Sequence, residues 1–150
     1  MKKFSGKPIN EIKLTLPSLS VNEGTARAVV AAFCAQLDPT ATELADIKCA
    51  VSEAVTNCIV HAYRGTVGTV YIGVKLYDER YVRVTVRDKG CGISDVARAR
   101  EPLYTTDAAN ERSGMGFTVM ENFMDKLSVR SRVGKGTTVV MYKRISPSAF

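Results

Sequence analysis

From about Thr40 to Ala62 the apolar residues Leu44, Ile47, Val51, Ala54, Val55, Cys58 and Ala62 recur at helical spacing and form one stripe. Such a stripe has to be buried against something, and the downstream sequence supplies strands. Thr69 to Leu76 alternates, with Val70, Ile72, Val74 and Leu76 on one side. Tyr81 to Val86 repeats the pattern with Val82, Val84 and Val86. Asp78-Glu79 turns the chain between them, so the two runs read as an antiparallel hairpin. A long helix-period segment beside paired period-two segments is the pattern of an α+β chain.

The flanking sequence extends this pattern. Glu11 to Leu16 alternates as a half-buried strand, and Pro17 ends it. Ser20-Val21-Asn22-Glu23 and Thr40-Ala41-Thr42-Glu43 each match a capping box. The first opens a helix to about Leu37, broken by Asp38-Pro39; the second opens the long helix. Ser94 to Arg100 reads as a short helix, and Phe117 to Met124 has helical spacing. Lys126 to Val133 and Thr137 to Tyr142 form a second hairpin about Gly134-Lys135-Gly136. Glu101 to Ser113 has no period and reads as a long polar loop, of the kind that serves as a lid or binding loop.

The chain has 150 residues, 45% of them hydrophobic. That suffices for one domain with a real core, expected to span residues 1–150 with 1–8 and 145–150 as loose ends. The spacing of Cys34, Cys49, Cys58 and Cys91 is neither a zinc nor a redox pattern. Cys34 and Cys58 read as small core residues, and reduced thiols in the cytoplasm are expected. No run approaches the roughly 18 apolar residues of a membrane span. Met1-Lys2-Lys3-Phe4-Ser5-Gly6 lacks the apolar core of an export signal. The net charge of +6 permits acidic partners, but no nucleic-acid recognition motif accompanies it, so neither direct nucleic-acid nor membrane binding is expected.

The residues that carry chemistry lie at element ends. Glu53 and Asn57 are four apart and stack on one helix face. The carboxylate can take a proton, and the amide oxygen is a hard ligand suited to Mg²⁺. Asp88-Lys89-Gly90-Cys91-Gly92 follows a strand directly. There Asp88 can accept a hydrogen bond from an amino group such as that of adenine, while Gly90 and Gly92 allow close backbone approach. Gly114-Met115-Gly116 opens a helix, where unpaired N–H groups favour an anion, and Arg112 adds a forked cation for the same phosphates. Thr137, just past the last turn, is placed to reach a purine edge with its hydroxyl.

In this order the motifs resemble the ATP-binding (Bergerat-type) fold shared by gyrase, Hsp90, histidine kinases and MutL. Val51 to Asn57, Gln36 to Thr40, and Glu111 to Phe117 through Glu121 to Asp125 are similar to the anti-sigma F factors of spore-forming bacteria. The likeness runs from about Leu14 to Tyr142. It implies a two-layer α/β sandwich with a mixed, mainly antiparallel sheet and an ATP lid. It further implies a protein-serine kinase that holds a sporulation sigma factor (sigma F) inactive and phosphorylates a serine on an anti-anti-sigma factor, with ATP/ADP and Mg²⁺ as cofactors. By matched position Glu53 would be the catalytic base, Asn57 would ligate Mg²⁺, and Asp88 with Thr137 would hold adenine. Gly90 and Gly92 would shape the nucleotide floor. Thr105, Thr106, Arg112, Ser113, Gly114, Met115 and Gly116 would cover the nucleotide. Arg27 would face both protein partners, and the resemblance implies a homodimer built along sheet edges. Two other readings stay open: an anti-sigma kinase of a general-stress sigma factor, and a nucleotide-gated binding module without phosphotransfer.

Overall fold

The computed structural model describes residues 6–102 and 116–147. In chain order it runs β1 (Asn10–Pro17), α1 (Val21–Cys34), α2 (Ala41–Asn57), β2 (Thr69–Tyr77), β3 (Tyr81–Arg87), α3 (Val96–Ala99), α4 (Gly116–Phe123), β4 (Lys126–Arg132) and β5 (Gly136–Arg144). The strands form one sheet in the order β1-β2-β3-β5-β4. Among the described residues its pairings are all antiparallel, in line with the mixed, mainly antiparallel sheet that the resemblance implies. β4 lies at the edge and β5 fills the place between it and β3.

Alternation explains the layering. In register, Leu14 faces Ile72, Ile72 faces Val86, Val86 faces Val139 and Val139 faces Val129. This row and its neighbours two residues on present one continuous apolar face, and α2 lies on it between α1 and α4. Ile47, Val51 and Val55 of α2 are buried with Val30 of α1, Met120 of α4 and Leu76 and Met141 of the sheet. Truncating any of the large ones to Ala would cost about 2–5 kcal/mol. One cation joins this layer. The buried Lys143 donates to the Phe123 carbonyl at 2.6 Å and sits 3.3 Å from Asp46 Oδ2, so it caps the C-terminal end of α4 and ties it to α2.

The helix ends depart from the sequence expectations in instructive ways. The Thr40–Glu43 box forms in full: the Glu43 N–H donates to Thr40 Oγ1 at 3.1 Å, and the Thr40 N–H donates to Glu43 Oε1 at 2.8 Å. The Ser20–Glu23 box does not form. Ser20 already has helical torsions and makes no side-chain cap, while the Glu23 carboxylate lies 3.4 Å from Arg27. The long helix is α-helical only to Asn57; Cys58–Ala62 is a π turn. The start of the tail is packed rather than loose. Ile145 is fully buried, its N–H donates to the Arg80 carbonyl, and the Ser146 N–H donates to Glu43 Oε2 at 2.8 Å.

Candidate functional site

A cavity of about 460 Å³ opens between the end of α2, the start of α4 and the loop after β3. That volume suits a small-molecule ligand. Its walls include Asn57, Cys58, Asp88, Ile93, Gly116 and Thr137.

The π turn shapes one end of it. The Tyr63 N–H reaches back to the Cys58 carbonyl, and the Ala62 carbonyl accepts instead from the Cys91 N–H at 3.0 Å. Single π turns widen a helix locally and recur at functional sites. Here the widened end becomes a dock for the Asp88–Gly92 loop. Gly90 makes the docking possible, since a Cβ there would lie 2.3 Å from the Ala62 carbonyl oxygen. Gly92 has φ +76, and a Cβ would lie 2.2 Å from the Arg132 carbonyl oxygen, so any side chain is excluded on torsion and space alike. The Gly134 N–H donates to the Cys91 carbonyl at 2.8 Å and the Ile93 N–H to Ser131 Oγ at 2.7 Å, stitching the loop to the β4–β5 turn. Tyr63 completes the dock. Its hydroxyl accepts from the Lys89 N–H and donates to the Thr69 carbonyl, each at 2.7 Å.

Asp88 sits at the bottom of this end and is only 6% exposed. Its Oδ1 accepts from the Gly90 N–H at 2.9 Å and the Thr137 N–H at 3.2 Å, and its Oδ2 faces the Cys58 thiol at 3.6 Å. Burial pushes the Asp88 carboxyl above its ordinary range, against the pull of those donors. A buried carboxylate lining a cavity, with donors concentrated on one oxygen, is an acceptor for an amino or N–H group of a ligand. The Thr137 hydroxyl does not point alone at the cavity. It shares a hydrogen bond with Ser131 Oγ at 2.8 Å, and Ser131 Oγ also donates to the Gly136 carbonyl at 3.1 Å.

At the other end, Asn57 and Glu53 meet the first residue of α4. A Cβ on Gly116 would lie 3.3 Å from Asn57 Oδ1 and 3.4 Å from Glu53 Oε2. The carboxylate, the amide and a helix N-terminus therefore share one corner, and the absent side chain at Gly116 leaves it open. Helix N-termini favour anions, and an amide oxygen beside one is suited to a hard cation held jointly with that anion. No cluster of three or more acidic, histidine or cysteine side chains able to hold a metal occurs among the described residues.

The structure thus brings Asn57, Asp88, Gly92, Gly116 and Thr137 to the wall of one cavity, with Glu53 beside Gly116 and Gly90 packed against Ala62. Thr105, Thr106, Arg112, Ser113, Gly114 and Met115 lie outside the described residues. Arg27 stands on α1, exposed and paired with Glu23. The sequence reading missed Cys58, Tyr63 and Ser131. Cys58 carries its signal in plain view, one residue past Asn57. Tyr63 and Ser131 act through long-range contacts that no local pattern marks.

The model of the histidine kinase-like ATPase domain matches residues 16–143. An anti-sigma F factor of Geobacillus sp. (strain WCH70) is 54% identical over 140 residues, covering 93% of this chain and 95% of that protein. Among solved structures, the RsbU and RsbW domains of a Mycobacterium tuberculosis protein share the fold with TM-score 0.68 at 24% identity, over 95% of this chain and 34% of that one. Full-length ShkA in complex with AMPPNP shares it with TM-score 0.56 at 18% identity, over 91% of this chain and 32% of that one. This chain spans about a third of the length of each of those two structures. The chain belongs to the histidine kinase-like ATPase family and, within it, to the anti-sigma F factors.

Proposed function

We propose that this chain is an ATP-dependent protein-serine kinase that also binds and inhibits the sporulation sigma factor sigma F, its phosphorylation target being a serine of an anti-anti-sigma factor. The observation that carries the reading is the shared corner of Glu53, Asn57 and Gly116 at one end of a cavity whose other end presents Asp88. In it, adenine donates its amino hydrogen to Asp88 Oδ2, with Thr137 beside the ring. The phosphates extend toward the α4 N-terminus, where Arg112, Ser113, Gly114 and Met115 precede Gly116 in sequence. Asn57 Oδ1 is the ligand that would hold Mg²⁺, which when bound neutralises phosphate charge. A lone protein ligand fits a cation that keeps phosphate and water as its other partners.

Glu53 takes the proton from the attacking serine hydroxyl as its oxygen bonds to the γ-phosphorus; the bond to the β–γ bridging oxygen breaks and ADP leaves. The protein's share is positioning and charge stabilisation. Arg27, exposed on α1, is the proposed contact for both protein partners, whose competition for it would link nucleotide state to sigma release. Among the described residues β1 and β4 are the edge strands, where the proposed homodimer would pair. A sigma-factor partner places the activity in the cytoplasm.

The test is transfer of labelled γ-phosphate to a purified anti-anti-sigma protein, comparing wild type with Glu53→Ala. Loss of transfer by about 100-fold or more, with nucleotide binding kept, is the expected result. Nucleotide binding by wild type without any transfer would replace the kinase with a nucleotide-gated binding module.

A further inference from the structure

Cys58 lies where the regular helix gives way to the π turn, 3% exposed, and it lines the nucleotide cavity. Its Sγ is 3.6 Å from Asp88 Oδ2, within the range of a thiol hydrogen bond to a carboxylate. The two oxygens of Asp88 are held very differently. Oδ1 accepts from two backbone N–H groups, of Gly90 and Thr137. Oδ2 faces one donor, the Cys58 S–H, and it is the oxygen left with capacity for a base. The two oxygens turn together about Cβ–Cγ, so the pair of bonds to Oδ1 sets the carboxylate plane within the tolerance of hydrogen bonds, and a third bond, to Oδ2, narrows that broad terminal torsion further.

We infer that Cys58 is a positioning residue for base recognition: its thiol holds the plane of the Asp88 carboxylate so that Oδ2 meets the adenine amino group. This rests on the nucleotide reading of the cavity and deepens it. A thiol with no cation or metal beside it holds its proton at neutral pH, so at 3.6 Å from Oδ2 Cys58 is the donor of this contact. The thiol also has the right reach. Alanine would leave Oδ2 without its protein donor, whereas serine would retain an O–H on a shorter arm.

The consequence is selective. ATP offers an amino group to Oδ2; inosine triphosphate offers a carbonyl oxygen at the same place and gains nothing from the alignment. Affinities of ATP and inosine triphosphate are therefore to be measured by calorimetry for wild type, Cys58→Ala and Cys58→Ser, with circular dichroism to check folding. Wild type is expected to favour ATP. Cys58→Ala should lose roughly two- to ten-fold of that preference, the worth of one net hydrogen bond, and Cys58→Ser, with its shorter arm, should recover part of it. A pure packing role would lower both affinities together and leave their ratio unchanged; that result overturns the inference while leaving the nucleotide site standing. If Cys58→Ala does not fold, Cys58→Val, which fills the space without a donor, takes its place: a preference reduced twofold or more from wild type supports the thiol as donor, and an unchanged ratio overturns it. Wild type that binds neither nucleotide removes the site itself, and with it any role for Cys58 in it.

Discussion

Asn57 and Cys58 are consecutive residues of one helix, yet they serve the two ends of the cavity, and those ends are built differently. Around Asp88 the main chain does the holding. Backbone N–H groups fix Oδ1, the loop is stitched to the helix end by Cys91 and to the β4–β5 turn by Gly134, and the carboxylate is buried. Around Gly116 side chains do the work: Glu53 and Asn57, both half-buried, reach across to the first turn of α4. Backbone anchoring makes the first end rigid and its recognition geometric. Side chains meeting at a helix start make the second adjustable, which suits the proposed transfer, in which phosphates and an incoming hydroxyl would be brought into line.

A methyl group placed in each end should separate the two. Gly90→Ala drives a Cβ to 2.3 Å from the Ala62 carbonyl oxygen and 2.6 Å from its carbon. Backbone must move, so the expected cost is about 1–3 kcal/mol, read as a lower melting temperature, and nucleotide affinity should fall with it as Asp88 is displaced. An unchanged melting temperature would show that the loop is not pinned as described. For Gly116→Ala the nearest atoms are the far ends of Asn57 and Glu53, at 3.3–3.5 Å. Those side chains can give way, so stability should stay within about 0.5 kcal/mol, while phosphate transfer drops about tenfold or more through misplacement of the base. Equal damage to stability by the two methyls would erase the contrast.

The same contrast explains what could be read from the chain alone. The strands of the sheet and the buried stripe of α2 follow from alternation and helical period, because burial on one face writes itself into every second or every third to fourth residue. Glu53, Asn57, Asp88 and the glycines were legible because their spacing is local. The π turn was not: a shift from i−4 to i−5 bonding leaves the residue pattern of Cys58–Ala62 unaltered, and what drives it, the docking of Cys91 on Ala62, is a contact across 29 positions of sequence (91 − 62). Ser20–Glu23 satisfied a capping pattern and still made no cap, since Ser20 has already turned helical. Ser131 and Tyr63 hold the site through partners in other elements. Cys58 read as a core residue because its apolar spacing is genuine; its second role exists only once β3 delivers Asp88 beside it.

The smallest expected effect lies away from both ends and tests whether they can be treated as independent of the fold's distal anchor. Glu43 begins α2, and its carboxylate accepts from the Thr40 N–H, the Ser146 N–H and the Ser146 hydroxyl. Burial would raise its pKa, but these donors outweigh it and hold the carboxyl below its ordinary value of 4.5. A depressed carboxylate pKa gives stability that is fully present above the unfolded value and is lost as pH falls through the folded one. Glu43→Gln retains one acceptor oxygen and turns an amide N–H₂ toward one of the donors. Glu43 is half-buried at the helix edge and partly screened by solvent, so the loss at neutral pH should be about 1 kcal/mol. The difference from wild type should shrink as the pH is lowered through and below 4.5, where the wild-type carboxyl is itself protonated. Melting temperature followed against pH checks the sign: a gap that widens in acid would mean that Glu43 is not the anchored carboxylate described. ATP affinity and phosphate transfer measured on the same variant should match wild type, because the opposite end of α2, not its cap, holds both halves of the site.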